Sequence, residues 1–191
     1  MRAGAAAWML AGLAGLAPAG AGAFPDGAPP GHTGGFGEPT CGECHFGGLP
    51  EAGGERLSLE GLPATYRTGT TYEIELVLDL AGKSVGGVQL STRFQDGPLQ
   101  GLAAGRLTPA DERLQRITDS GAPNLGHRQP ARPAASGGTD RWRLRWTSPD
   151  ENHGPAVFHA AAVAGDDDRS PLGDDVLVLE RRLPAEPATD R

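Results

Sequence analysis

Arg141-Trp142-Arg143-Leu144-Arg145-Trp146 is the stretch that most narrows what this chain can fold into. Guanidinium and large apolar side chains alternate one for one. A strand puts the three apolar groups on one face and the three charges on the other; a helix would scatter both sets. The same period of two runs through Tyr72, Ile74, Leu76, Leu78 and Leu80, and again through Val88, Leu90, Thr92 and Phe94. Shorter strands are predicted over 105–107 and 114–118, an apolar strand over 154–164, and a closing strand over 176–179. Turn residues such as Asp96-Gly97 separate them, and no helical period intervenes. The expectation is an all-β fold, an immunoglobulin-like antiparallel β-sandwich over residues 56–183. With 30 glycines, 17 prolines and 5% aromatics, the composition suits a turn-rich β domain rather than a helical bundle.

The first residues read as an export signal. Arg2 is a short basic start, 3–17 is an apolar run too short to span a bilayer and stop there, and Ala21-Gly22-Ala23 is a small-x-small cleavage site. Residues 1–23 are therefore expected to be a Sec signal peptide, with the mature chain starting at Phe24 in the periplasm, at the cell surface or in the medium. No later run is long and apolar enough to predict a transmembrane helix. Removing 1–23 takes one arginine and no acidic residue, moving the net charge from −7 to −8. An acidic protein is a poor ligand for nucleic acid or anionic lipid and is compatible with a basic redox partner. Residues 24–55 are Gly- and Pro-rich without periodicity, and 184–191 reads as a disordered tail.

The two cysteines of the chain both fall in Cys41-Gly42-Glu43-Cys44-His45. In an exported chain this C-x-x-C-H spacing reads as an attachment site for one covalent c-type haem. Two thiols three residues apart can each add to one vinyl group, and the following histidine supplies the proximal imidazole, here His45. An exposed disulfide, a dithiol redox pair, and a zinc site built from both thiolates, His45 and another histidine are the competing readings. No amphipathic helix flanks the motif, so a helical cytochrome is not expected.

Several further stretches carry a resemblance. His32-Thr33-Gly34-Gly35-Phe36-Gly37-Glu38-Pro39-Thr40 leads into Cys41. Tyr66-x-x-Gly69-x-x-Tyr72, Gly86-Gly87-Val88-Gln89-Leu90, Trp142-x-x-x-Trp146-x-x-Pro149, Gly154-x-x-x-Phe158-x-Ala160 and Gly173-Asp174 follow in order. Together they span 31–182 and resemble the exported bacterial Reelin-domain-like (Reeler, choice-of-anchor type) β-sandwich proteins preceded by a C-x-x-C-H segment. Val88 stands where that group usually has an aromatic residue. The resemblance implies an immunoglobulin-like sandwich and says less about function, since a fold does not fix an activity.

The methionines are Met1 and Met9, both in the expected signal. His/Met ligation within the mature chain is therefore excluded, and His32, His127, His153 and His159 are the candidate partners for the sixth iron position. His32 is favoured: it lies nine residues before Cys41 on a Gly-rich loop, and closing so short a loop costs little entropy. His159 is next, on the strand face opposite Phe158, then His153 in a turn. His127, in a Pro-rich loop, ranks last. A bis-histidine haem would sit at a lower potential than a His/Met one and would move electrons rather than do chemistry. No Ser-His-Asp order, phosphate loop, dinucleotide fingerprint or distal acid–base pair is apparent. The expected role is an electron carrier or binding protein, not an enzyme; an open iron site would instead bind small ligands, as a haem-based sensor does, or turn over peroxide. The alternative is an extracellular binding or adhesion sandwich in which C-x-x-C-H is a disulfide or metal clip. Two charged features accompany these: Asp166, Asp167, Asp168, Asp174 and Asp175 form an acidic loop that is either a Ca²⁺ site or a solvated turn, and the Arg141/Arg143/Arg145 row either meets haem propionates or a partner's carboxylates, or is the wet side of an edge strand.

Overall fold

The computed structural model describes Phe24, residues 26–118, 124–129 and 138–187. The expected signal peptide lies outside the described residues, as does the end of the tail. The described residues form ten strands: β1 (Glu51–Ala52), β2 (Leu57–Glu60), β3 (Thr71–Asp79), β4 (Val85–Phe94), β5 (Arg106–Pro109), β6 (Leu114–Ile117), β7 (Asn124–His127), β8 (Thr139–Thr147), β9 (Ala156–Gly165) and β10 (Asp175–Leu183). They make a six-stranded sheet, β1-β10-β9-β4-β7-β6, facing a four-stranded sheet, β2-β3-β8-β5. Every pairing between these strands is antiparallel except β1 with β10. The expected all-β sandwich is the observed architecture.

The alternating side chains meet between the sheets. Ile74, Leu76 and Leu78 of β3 and Trp142, Leu144 and Trp146 of β8 face Leu90 of β4, Phe158 and Ala160 of β9 and Leu177 of β10. Trp146 packs edge-on to Tyr66 and Phe158 and stacks on Tyr72, and its Nε1–H donates to the Ala104 carbonyl at 2.9 Å, which satisfies the buried indole.

Three expectations change. The row Arg141, Arg143, Arg145 lies on β8, an interior strand between β3 and β5, not an edge. Arg141 pairs with Glu60 and Glu75, and Arg145 with Glu73, so the row is a cross-strand charge ladder on the outer face of the four-stranded sheet. Second, β7 lies in a stretch read as loop. Asn-Leu-Gly-His has no β-branched or aromatic signal; it is a strand because β4 offers it an unpaired ladder and Leu125 fills the core. Third, the sandwich extends past its predicted limits. Glu51–Ala52 adds a strand before residue 56, and the stretch after 183 stays pinned: Tyr66 N–H donates to the Pro184 carbonyl and Glu186 N–H to the Tyr66 carbonyl.

Candidate functional site

The segment before β1 lies across the outer face of the six-stranded sheet. Gln89, Ser91 and Arg93 alternate with the core residues of β4 and so point outward, yet all three are buried. The segment supplies each of them with a partner, although Arg93 Nε is left without an acceptor. Gln89 accepts from the His32 amide at 2.6 Å and donates to the Pro29 carbonyl at 2.8 Å. Thr33 Oγ1 donates to Glu38 at 2.6 Å and meets Ser91 Oγ at 3.1 Å. Glu38 forms an ion pair with Arg93. Gly35 packs so close to β9 that a Cβ there would run into the His159 ring, and Phe36 sets its ring edge-on to His159 and under the Arg93 guanidinium.

The same segment then makes one tight turn through the cysteine motif. The Thr40 side chain accepts from Gly42 N–H at 3.1 Å and caps a 3-10 turn over Cys41–Glu43; Cys44 and His45 N–H both reach the Cys41 carbonyl. Residues three and four apart on such a turn share a side, so Cys41, Cys44 and His45 all line one cavity of about 420 Å³. That volume is in the range of sites for cofactor-sized molecules, about 300–1,000 Å³. The opposite wall is sheet: Gly86 and Gly87 of β4, Val163 and Gly165 of β9, and His127 at the end of β7. Glycine is needed in this wall, because a Cβ on Gly87 would come within 2.7 Å of the His127 ring. Arg169 is the basic non-histidine residue on the wall.

His45 is held from behind. Its Nδ1 lies 2.6 Å from Oδ2 of Asp174, which is 4% exposed. Gly47 and Gly165 make room for Asp174: a Cβ on the first would overlap its carbonyl, and on the second would approach Oδ1 to 2.8 Å. An imidazole whose Nδ1–H is given to a carboxylate keeps its Nε2 lone pair for a metal and is fixed in direction. Asp174 thus leaves the acidic loop in which the sequence put it. Asp175 pairs with Arg56, while Asp166 and Asp168 accept from backbone amides of their own turn. The carboxylates diverge, and among the described residues no group of three or more His, Cys, Asp or Glu could hold a metal ion by itself. That leaves both the Ca²⁺ loop and the all-protein zinc clip without a cage.

Cys41 and Cys44 are free thiols. Burial pushes the Cys41 thiol up to about 12, and the neighbouring Cys44 adds repulsion against a backbone hydrogen bond that pulls the other way.

The predicted sixth-ligand candidates separate. His32 lines the cavity, but its Nε2 is 2.8 Å from Glu43 and its Nδ1 3.0 Å from the Pro29 carbonyl. His159 and His153 are elsewhere: His159 lies under Phe36 beside Glu180, and His153 against Phe94 and Glu151. His127, ranked last from sequence, is in the cavity wall. Burial holds it below its ordinary value; the Val88 and Phe24 carbonyls oppose that, and His45 is near enough to add to it.

Fold and site together define an all-β two-sheet sandwich carrying a thiol–histidine cavity on its outer face. Among solved structures it is similar to the Reelin-N domain of F-spondin (18% identity, TM-score 0.49, covering 69% of this chain and 86% of that one). It is also similar to two fragments of the human F-spondin reeler domain, at 18% and 21% identity and TM-scores of 0.47 and 0.48, each covering 69% of this chain and 88% and 91% of theirs. No protein-family model matches the chain, and no curated relative is found by sequence.

Proposed function

We propose that this is an exported monohaem c-type protein that relays electrons, with one haem held by thioether bonds to Cys41 and Cys44 and by His45 as proximal ligand. The observation that carries this reading is the shared cavity: both thiols and His45 line it, and His45 Nδ1 is tied to the buried Asp174. Attachment needs no oxidant. Each thiol adds across one vinyl C=C, sulfur to one carbon and hydrogen to the other.

The haem would supply a one-electron Fe(III)/Fe(II) couple. The chain's own residues do the rest. Asp174 orients His45 and makes it a stronger donor, which favours the ferric state and a low potential. With both methionines in the expected signal peptide, no thioether sulfur is on hand to raise it. Gly87 makes room for the His127 ring in the cavity wall, and Arg169 is the wall's cation that would face the haem carboxylates. The role is that of a carrier, with a protein redox partner and a place outside the cytoplasmic membrane. Among the described residues no helix is long and apolar enough to cross a membrane.

The test is a pyridine haemochrome assay on the full chain made in cells that mature c-type haem. A c-type spectrum that survives acid–acetone extraction is the expected result, lost completely in the Cys41→Ser/Cys44→Ser double variant while its circular dichroism stays that of a β protein. A colourless, correctly exported wild type would overturn the proposal.

A further inference from the structure

We infer that His127, rather than the His32 favoured by sequence, is the second axial ligand of the iron; this rests on the haem reading above. The two rings that share the cavity with His45 differ in the acceptor that ligation must displace: the Glu43 carboxylate at His32, a neutral backbone carbonyl at His127. His32 belongs to the same segment as the cysteine turn and is tied to it: Nε2 is paired with Glu43 at 2.8 Å, and Nδ1 sits 3.0 and 3.2 Å from the Pro29 and Pro30 carbonyls. Both nitrogens already face acceptors, and ligation would have to break the contact with the Glu43 carboxylate.

His127 comes from the sheet, across the cavity wall from the segment that brings His45. It is the last residue of β7, and its backbone pairing with β4 stops at Gln89 and Leu90. One step further along β4 the imidazole itself takes the place of a strand partner: Nδ1 lies 3.1 Å from Val88 N and 3.2 Å from Val88 O. Nδ1 faces both Val88 groups: taking the Val88 N–H it leaves the proton on Nε2, and giving its own N–H to the Val88 carbonyl it leaves Nε2 the lone pair a metal requires, the form that ligation would select. The ring is seated on Gly87, where any side chain would displace it. The other group against the ring is the Phe24 carbonyl, and ligation exchanges that contact for iron. His45 and His127 are thus held in the same way, each by Nδ1, one through Asp174 and the other through Val88.

The experiment uses the full, haem-loaded chain and reads spin state by absorption and electron paramagnetic resonance. The wild type is expected to be low-spin and six-coordinate in both oxidation states. His127→Ala is expected to become high-spin, to bind carbon monoxide when reduced, and to return to low-spin with added imidazole; His32→Ala is expected to keep the wild-type spectrum. His127→Met covers the case in which the alanine variant does not fold: it should remain low-spin with a raised midpoint potential, since thioether ligation raises it. A His127→Ala protein that stays low-spin, a His32→Ala protein that turns high-spin, a His127→Met protein with an unchanged potential, or a high-spin wild type would each overturn the assignment and leave the haem reading intact. A wild type without covalent haem would sink both.

Discussion

The two sheets share one core, and they differ in what lies on their outer faces. On the four-stranded sheet the outward positions carry Glu73, Glu75, Arg141 and Arg145 in exposed pairs, 2.6 Å from Arg145 to Glu73 and 3.1 Å from Arg141 to Glu75. On the six-stranded sheet the equivalent positions carry Gln89, Ser91, Arg93, Val157 and Ala161, all buried although they point away from the core. The difference is the segment laid across them. Once covered, a polar group there needs a partner inside the protein; Thr33, Glu38 and the His32 amide supply partners to Ser91, Arg93 and Gln89, and Arg93 Nε and His159 Nδ1 are left without one. Where segment and sheet do not close on each other, the cavity lined by the cysteine motif remains. The outer face that resembles a second, smaller core is the one that carries the cavity.

Removing the tie between segment and sheet should produce the largest effect on this contrast. Glu38→Ala leaves the Arg93 guanidinium buried without its carboxylate, at a cost of about 3 kcal/mol. Urea unfolding should show that loss, and limited proteolysis should cut first within residues 26–50; an uncut, equally stable variant would mean that the segment is not held by this pair. Next is a pH effect that belongs to the covered face. Burial under the segment holds His159 below its ordinary value, with Glu180 opposing and Arg93 adding to the shift. As pH falls below about 6.5 the unfolded chain takes up this proton first. Stability is then full above that pH and declines until the folded histidine also protonates. The slope of melting temperature against pH should be shallower in His159→Asn; an unchanged slope would remove His159 from the account. The smallest effect is expected on the other sheet. Arg145→Ala breaks an exposed pair and should change stability by no more than about 0.5 kcal/mol. A loss as large as that of Glu38→Ala would end the distinction between a wet face and a covered one.

The contrast was partly visible in the chain itself. Strict alternation of charge with Trp and Leu in 141–146 describes a strand wet on one side. Ala156–Gly165, by contrast, has one polar residue, His159, in ten, as a strand covered on both sides does. Nothing local said that the cover would be the Gly-rich segment, or that Gln89, Ser91 and Arg93 would be buried by it.

Side-chain period and residue type act within a few neighbours, so the sequence alone determined the long strands, the all-β class and the one-turn geometry that gathers Cys41, Cys44 and His45. It also supplied the histidines without ordering them. Which of them meets the cavity depends on strand pairing between residues far apart in the chain. His127 is there because β7 finds a free ladder on β4, 35 or more positions away, and Asp174 because β10 starts beside the cysteine turn. His32, nearest in sequence, also lines the cavity, with its Nε2 held by a glutamate eleven residues on. Proximity along the chain lowers the entropy of meeting, but the hydrogen bonds available at the meeting place decide how each ring is held.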